Sequence, residues 1–220
     1  MILSSFSHSF AAHPLVTDDT GTQGKGKFQL EVNGGYGRNK DKGVTTDTAQ
    51  ISATLTYGPS DTVDVILGLP YEHIKTEDSH VVTEGDGISD TSIEMKWRFY
   101  EKDGLSFGLK PGFTLPTGDN GKGLGAGRAT YHLFFLVTRE MKPWAFHFNL
   151  GYTRNENKLD ENKNIWHVSA ASTVEVVKDL KVVGDIGTER NASRNLNVPK
   201  AFILGGVIYS LWENLDVDFG

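Results

Sequence analysis

The sequence of 220 residues contains no cysteine. Disulfide frameworks, thiolate metal sites and cysteine nucleophiles are therefore excluded, and the chain can pass through an oxidising compartment without mispairing. Acidic residues outnumber basic ones by 28 to 22, which argues against a nucleic-acid partner. The longest purely apolar run, at 133–137, is far shorter than the ~20 residues of a membrane-spanning helix. A helical membrane protein is thus excluded, whereas a membrane β-barrel, whose strands alternate in polarity, is not.

Apolar and polar residues alternate with a period of two along most of the chain, and this pattern predicts β-strands. In the first stretch, Phe28, Leu30 and Val32 share one face, while Gln29 and Glu31 share the other. A helix would not sort the residues in this way. The pattern predicts ten strands and the beginning of an eleventh, at 27–36, 48–57, 63–72, 92–100, 105–115, 127–139, 144–153, 166–176, 180–189, 199–210 and from 215 onward.

The connections between these strands alternate in length. Short turns rich in turn-forming residues lie at 58–61, 101–104, 140–143, 178–179 and 211–214. Longer polar loops are predicted at 39–47, 73–88, 117–126, 154–164 and 190–198. The repeating unit of roughly 40 residues is therefore one hairpin of two long strands, unlike a propeller blade with four short strands.

Strand length and aromatic position favour a membrane barrel over a soluble one. The strands are about 10 to 13 residues long, whereas about 5 to 6 is usual in globular proteins and about 9 to 11 suffice to cross a bilayer. Aromatic residues of the apolar face collect near both strand ends, as at the two interfaces of a membrane. These girdle residues are Phe28, Tyr57, Trp97, Phe99, Phe107, Trp144 and Tyr209 beside the short turns, and Tyr36, Tyr71, Phe113, Tyr131, Tyr152 and Trp166 beside the long loops.

Three segments resemble a known family. They are 13–27, 115–119 together with 123–127, and 209–216, and they are similar to bacterial outer-membrane proteins grouped as the phenol-degradation meta-pathway family, often labelled transporter. The resemblance covers nearly the whole chain. It implies a barrel of about twelve strands in a Gram-negative outer membrane, and passage of small organic compounds. It defines no catalytic residues.

The predicted fold is all-β, an antiparallel up-and-down transmembrane β-barrel of about 12 strands, of which about 11 are present in this sequence. Bacterial single-chain barrels have even strand numbers, so we expect the sequence to be a fragment that lacks a twelfth strand. Residues 1–12 end in small residues, like a signal peptide, or form a tail. The predicted parts are thus a residual signal-peptide-like segment at 1–12, a periplasmic segment at 13–26 and the barrel at 27–220.

Polar strand faces would line the lumen of such a barrel. Six basic candidates, Lys27, Lys96, Arg98, Lys110, Arg128 and Lys181, meet seven acidic ones, Glu31, Asp64, Glu72, Glu94, Glu175, Asp185 and Glu189. This near balance argues against a strongly ion-selective pore, because rings of one sign are what select ions. The charges are either sites along a solute path or a salt-bridge network that fills a narrow barrel, and for any single residue we favour the network.

Three histidines on the same faces, His132, His147 and His167, do not predict a metal site. Only His132 and His167 fall at the same height, and a metal needs three or four converging ligands. The acidic stretch 72–90 is either solvated or a weak cation site, since it has no calcium-loop spacing. The glycine-rich stretch 118–127 is expected to be a flexible loop or a constriction inside the lumen. We predict no metal and no cofactor.

The sequence favours a passive channel for small organic solutes, apolar or aromatic ones included. A structural or surface-binding barrel without transport is the first alternative, and a soluble lipocalin-like carrier is the second. Catalysis is not expected, because no G-x-S-x-G nucleophile motif is present. The predicted partners are outer-membrane lipid and small-molecule solutes, with the protein as a monomer.

Overall fold

A computed structural model describes residues 14–41, 43–78 and 81–220. The predicted signal-peptide-like segment 1–12 lies outside the described residues. The strands are β1 Phe28–Asp41, β2 Val44–Ser60, β3 Val63–Asp78, β4 Val81–Ile88, β5 Thr91–Lys102, β6 Leu105–Leu115, β7 Thr130–Met141, β8 Trp144–Arg154, β9 Asn164–Val177, β10 Leu180–Glu189, β11 Lys200–Trp212 and β12 Leu215–Phe219. No helix in these ranges is long and apolar enough to cross a membrane.

All strands form one curled antiparallel sheet in which chain neighbours pair. The exception is β4, which does not pair with β5. Instead, both strands pair with β3, β4 with its second half, Tyr71–Asp78, and β5 with its first half. Because β4 and β5 share one side of β3, the twelve strands occupy eleven positions, from β1 at one edge of the described sheet to β12 at the other. The prediction of an all-β, antiparallel up-and-down fold is confirmed.

Two predicted loops are strands in the structure, so their assignment to loops was wrong. The stretch 39–47 continues the ladder of β1 and β2 as far as the pair Asp41 and Val44, and 73–88 forms the hairpin of β3 and β4. Both hairpin ends are rich in threonine and charge, and in the second the apolar Val81 and Val82 are consecutive and so do not alternate with polar residues. Periodicity in hydrophobicity disappears where neither face contacts an apolar phase, although backbone pairing continues.

The polarity of the two sheet faces is the reverse of that in a soluble protein. On β2, Ser52 and Thr54 of the concave face are 6% and 2% exposed, whereas Ile51 and Leu55 of the convex face are 62% and 42% exposed. Soluble proteins bury their large apolar side chains and leave polar ones in water. The arrangement is that of a barrel whose outer wall contacts an apolar phase, and it disfavours the lipocalin-like alternative.

The aromatic residues of the predicted girdles all lie on the convex face. Near the short turns they stack on one another, as in the pair of Phe28 and Tyr57, whose ring centroids are 4.5 Å apart. Near the long loops three tyrosines donate their hydroxyls to polar groups, namely Tyr36 to Asp47, Tyr71 to Asp86 and Tyr152 to Asn164. The ring of each tyrosine lies on the apolar convex face, and its hydroxyl is hydrogen-bonded near the rim. Side chains of this kind suit a membrane interface, where one end is apolar and the other contacts water.

Candidate functional site in the barrel lumen

Residues 14–26, here called the plug segment, lie across the concave face of the sheet at its short-turn half. The Thr20 amide donates to Thr138 Oγ1 of β7 at 3.1 Å. The Gln23 amide donates to both carboxylate oxygens of Asp64 on β3, each at 3.1 Å. The segment therefore contacts several walls of the lumen, and the sequence pattern gave no sign of this packing.

Asp185 of β10 anchors the first part of the plug segment. The amides of Val16 and Thr17 donate to its Oδ2 at 2.7 and 2.8 Å, and Thr17 Oγ1 donates to its Oδ1 at 2.6 Å. Asp185 and Thr17 are 3% and 1% exposed. Hydrogen bonds to an ionised carboxylate are about twice as strong as neutral ones, so this anchor holds the segment firmly against β10.

Asp18 joins the plug segment to β5 and β6 through buried ion pairs. Its Oδ1 lies 2.7 Å from Lys96 Nζ, and its Oδ2 lies 3.0 Å from Lys110 Nζ. Lys110 Nζ also lies 3.1 Å from Glu94 Oε2, and Glu94 Oε1 lies 2.8 Å from His132 Nε2. These five side chains form one continuous network, which is the salt-bridge alternative considered from the sequence.

The backbone of Asp18 is held as well. In the amide orientation that satisfies both groups, Asn149 of β8 donates to the Asp18 carbonyl at 2.8 Å and accepts from the Asp18 amide at 3.0 Å. Asn149 is 1% exposed. Side chain and backbone of one plug residue thus contact β5, β6 and β8, which fixes both the position and the direction of the segment.

The long-loop half of the lumen carries a row of rings, formed by His132, Phe134, His167 and Phe202. Their successive centroids are 5.7, 5.5 and 6.5 Å apart. Each ring belongs to β7, β9 or β11, and glycine occupies the strands between them. A Cβ atom at Gly151 of β8 would overlap the Phe134 ring. Phe134 can pack over β8 only because Gly151 has no side chain.

Replacing Gly151 by Val should therefore displace Phe134 and destabilise the folded barrel by about 1 to 3 kcal/mol, the usual cost of overpacking. Urea unfolding in vesicles measures this effect. The matched control is Gly35→Val on β1, where an added Cβ meets no atom within 4 Å. Equal unfolding midpoints for the two variants would contradict the packing of Phe134 on Gly151.

Long loops cover part of the rim beyond the row of rings. Asp90 accepts hydrogen bonds from the amides of Gly118 and Ala126 at 3.0 and 2.8 Å, so it holds the glycine-rich loop in place. Leu124 of that loop is 2% exposed. The loops after β8 and β10 are also joined, because Asn162 Nδ2 donates to the carbonyls of Asn191 and Ser193. The glycine-rich loop is thus packed at the rim, and one carboxylate of the acidic stretch 72–90 is used to hold it.

Comparison with known proteins agrees with this geometry. Residues 13–220 match the protein family described as putative MetA-pathway of phenol degradation. The chain belongs to this family. The family and the fold fit an outer-membrane β-barrel. No curated protein is significantly similar to the chain.

In this member of the MetA-pathway family, the predicted lumen residues divide into three groups. Those buried on the concave face are Asp64, Glu72, Glu94, Lys96, Lys110, His147, His167 and Asp185. Those half-buried are Glu31, Arg98, His132 and Glu189. Those exposed, near strand ends or in a loop, are Lys27, Arg128, Glu175 and Lys181. Of the exposed group, Lys27 directly follows the plug segment, and its amide donates to the Gly24 carbonyl at 3.2 Å.

The three histidines of this family member do not converge. His132 and His167 flank Phe134, whereas His147 Nδ1 lies 3.0 Å from Thr138 Oγ1 in the short-turn half. His167 Nδ1 lies 3.5 Å from Glu189 Oε2. Among residues 14–41, 43–78 and 81–220, no group of three His, Cys, Asp or Glu side chains could hold a metal ion.

Proposed function

We propose that the protein is an outer-membrane channel for passive diffusion of small organic solutes, with the plug segment narrowing its lumen. The observation that carries the proposal is the reversed polarity of the sheet. Its convex face is apolar and exposed, and its concave face is polar and buried. A bilayer admits only structures whose backbone groups are satisfied, and closure of this sheet into a barrel with an apolar exterior would meet that requirement. The interior is then left for water and solutes.

The two halves of the lumen differ in chemistry and support a role in solute passage. The long-loop half carries the row of rings of His132, Phe134, His167 and Phe202, and aromatic faces bind flat apolar molecules. The short-turn half carries the plug segment and the ion-pair network. A solute that enters from the long-loop rim would contact the rings first and the polar plug afterwards. This order favours small organic molecules that combine an apolar body with a polar group.

A non-enzymatic role is part of the proposal. Three of the lumen groups that could serve as acid or base, Glu94, Lys96 and Lys110, are held in buried ion pairs. General acid–base catalysis requires a group that can exchange its proton near the working pH, and ion pairing opposes this exchange. We propose lipid as the partner of the convex face, and a monomer as the functional unit.

The proposal is tested by solute flux through the full-length protein folded into liposomes. We expect swelling rates above those of empty liposomes that fall as the solute becomes larger, and discrete conductance steps in planar bilayers. A folded protein that gives neither flux nor conductance would favour the structural barrel instead. A monomer that stays soluble without detergent would support the carrier.

A further inference from the structure

A polar cavity of about 210 Å³ remains between the plug segment and strands β1, β2, β3 and β5. Its lining includes Asp18 and Asp19 of the plug segment, Glu31 of β1, Thr54 of β2, Asp64 of β3 and Lys96 of β5. The plug segment occupies the concave face near β6, β7, β8 and β10 through the contacts of Thr20, Asp18 and Thr17. The cavity is thus the space that the plug segment leaves open beside it on the concave face.

The charges around this cavity are not balanced. Four carboxylates, those of Asp18, Asp19, Glu31 and Asp64, face one ammonium group, that of Lys96. Lys96 lies 2.7 Å from Asp18 and 3.8 Å from Asp19, and Asp18 also pairs with Lys110 at 3.0 Å, so the excess negative charge is that of Glu31 and Asp64. Within the described ranges no ion pair reaches Glu31 or Asp64. Glu31 accepts a hydrogen bond from the Gln29 side chain, and Asp64 accepts hydrogen bonds from the Gln23 amide. The cavity wall is therefore negative.

Thr54 provides a second, independent indication of an occupant. The residue lines the cavity and is 2% exposed, and its Oγ1 has no hydrogen-bond partner among the described residues. Thr54 pairs directly with Glu31 in the β1 and β2 register, so the two side chains lie side by side on the concave face. Buried hydroxyls are almost always hydrogen-bonded in native proteins. A hydrated cation beside Glu31 would supply the missing partner through its water shell.

We propose that this cavity is the selectivity site of the channel and that it favours cations over anions. Rings or clusters of carboxylates select cations in pores, because their attraction is strong where bulk water is excluded. The inference rests on the proposed channel function. It adds that the preferred permeant species are positively charged, namely alkali-metal ions and small organic cations. In the sequence, the near balance of all lumen charges argues against strong ion selectivity. That sum does not take into account which of those charges are paired with one another.

The test is the reversal potential of the full-length protein in planar bilayers under a KCl gradient. We expect a permeability ratio of K⁺ over Cl⁻ above about 2, falling to about 1 in the double variant Glu31→Gln/Asp64→Asn, since fixed charge sets this ratio. The matched control is the double variant Glu213→Gln/Asp179→Asn. It also removes two negative charges, but from the short turns between β9 and β10 and between β11 and β12. This control should keep the ratio of the unmodified protein.

The outcomes separate the two proposals. Conductance with a ratio near 1 in the unmodified protein, or a ratio unchanged in the double variant, would overturn the selectivity site but leave the channel. Absence of any conductance from folded protein would overturn both. If the double variant does not fold, Glu31→Gln alone, on the half-buried side of the cavity, must still lower the ratio.

Discussion

Replacing Asp18 by Asn should release the plug segment and raise the single-channel conductance. Lys96 and Lys110 would lose the carboxylate that they share at 2.7 and 3.0 Å, and they would remain as buried charges. Removing one partner of a buried ion pair costs about 3 to 5 kcal/mol, so the free energy of unfolding should fall by that order. Conductance in planar bilayers and urea unfolding in vesicles measure the two effects.

The control for this variant is Asp19→Asn, in the same segment. The Asp19 side chain is 41% exposed and lies 3.8 Å from Lys96, so its loss should change stability by about 1 kcal/mol or less. A second variant, Asp185→Asn, weakens the other anchor of the segment and should increase conductance further when combined with Asp18→Asn. If Asp18→Asn leaves both conductance and stability unchanged, the plug segment does not occupy the permeation path.

Replacing Phe148 by Arg should prevent or strongly impair insertion into membranes. Phe148 lies near the middle of β8 on the convex face and is 41% exposed. A cationic residue at the lipid-facing midplane of a barrel costs about 2 to 4 kcal/mol. The measurement is the folded fraction in liposomes, followed by the change in gel migration between folded and unfolded protein.

Asn33→Arg is the matched control, because Asn33 lies on the concave face of β1 and is only half-buried. A charge there would project into the lumen, where water can solvate it, so folding should be much less affected. Equal losses for Phe148→Arg and Asn33→Arg would contradict the assignment of the convex face to lipid.

The strands and their faces could be predicted from the sequence because both are encoded locally. Alternation in 48–57 alone separates Ile51 and Leu55 from Ser52 and Thr54, and the structure exposes the first pair and buries the second. The plug segment could not be predicted, since its partners are remote. Thr17 and Asp185 are 168 residues apart, and no local pattern marks either of them as a partner of the other.

Charge pairing in the lumen shows the same limit. Alternation assigns Lys96, Lys110 and Glu94 to the polar face of their strands, and the three residues are buried in the structure. Lys110 pairs directly with Glu94, but both lysines also pair with Asp18, which enters from a segment without periodicity. A sum over lumen candidates is therefore nearly neutral, although the wall of the remaining cavity is negative. The net charge of a face can be read from sequence, but the distribution of that charge in space cannot.

The long separation between the plug segment and its anchor also determines the order of assembly. Val16 and Asp185 are 169 residues apart, so their hydrogen bond closes a loop that contains nearly all of the strands. Contacts of such large sequence separation carry the greatest entropic cost and form after local hairpins. We therefore expect residues 14–26, the first of the described chain to be synthesised, to be the last to reach their native position. Until they dock, the lumen keeps its full width, and afterwards the cavity beside the plug segment remains.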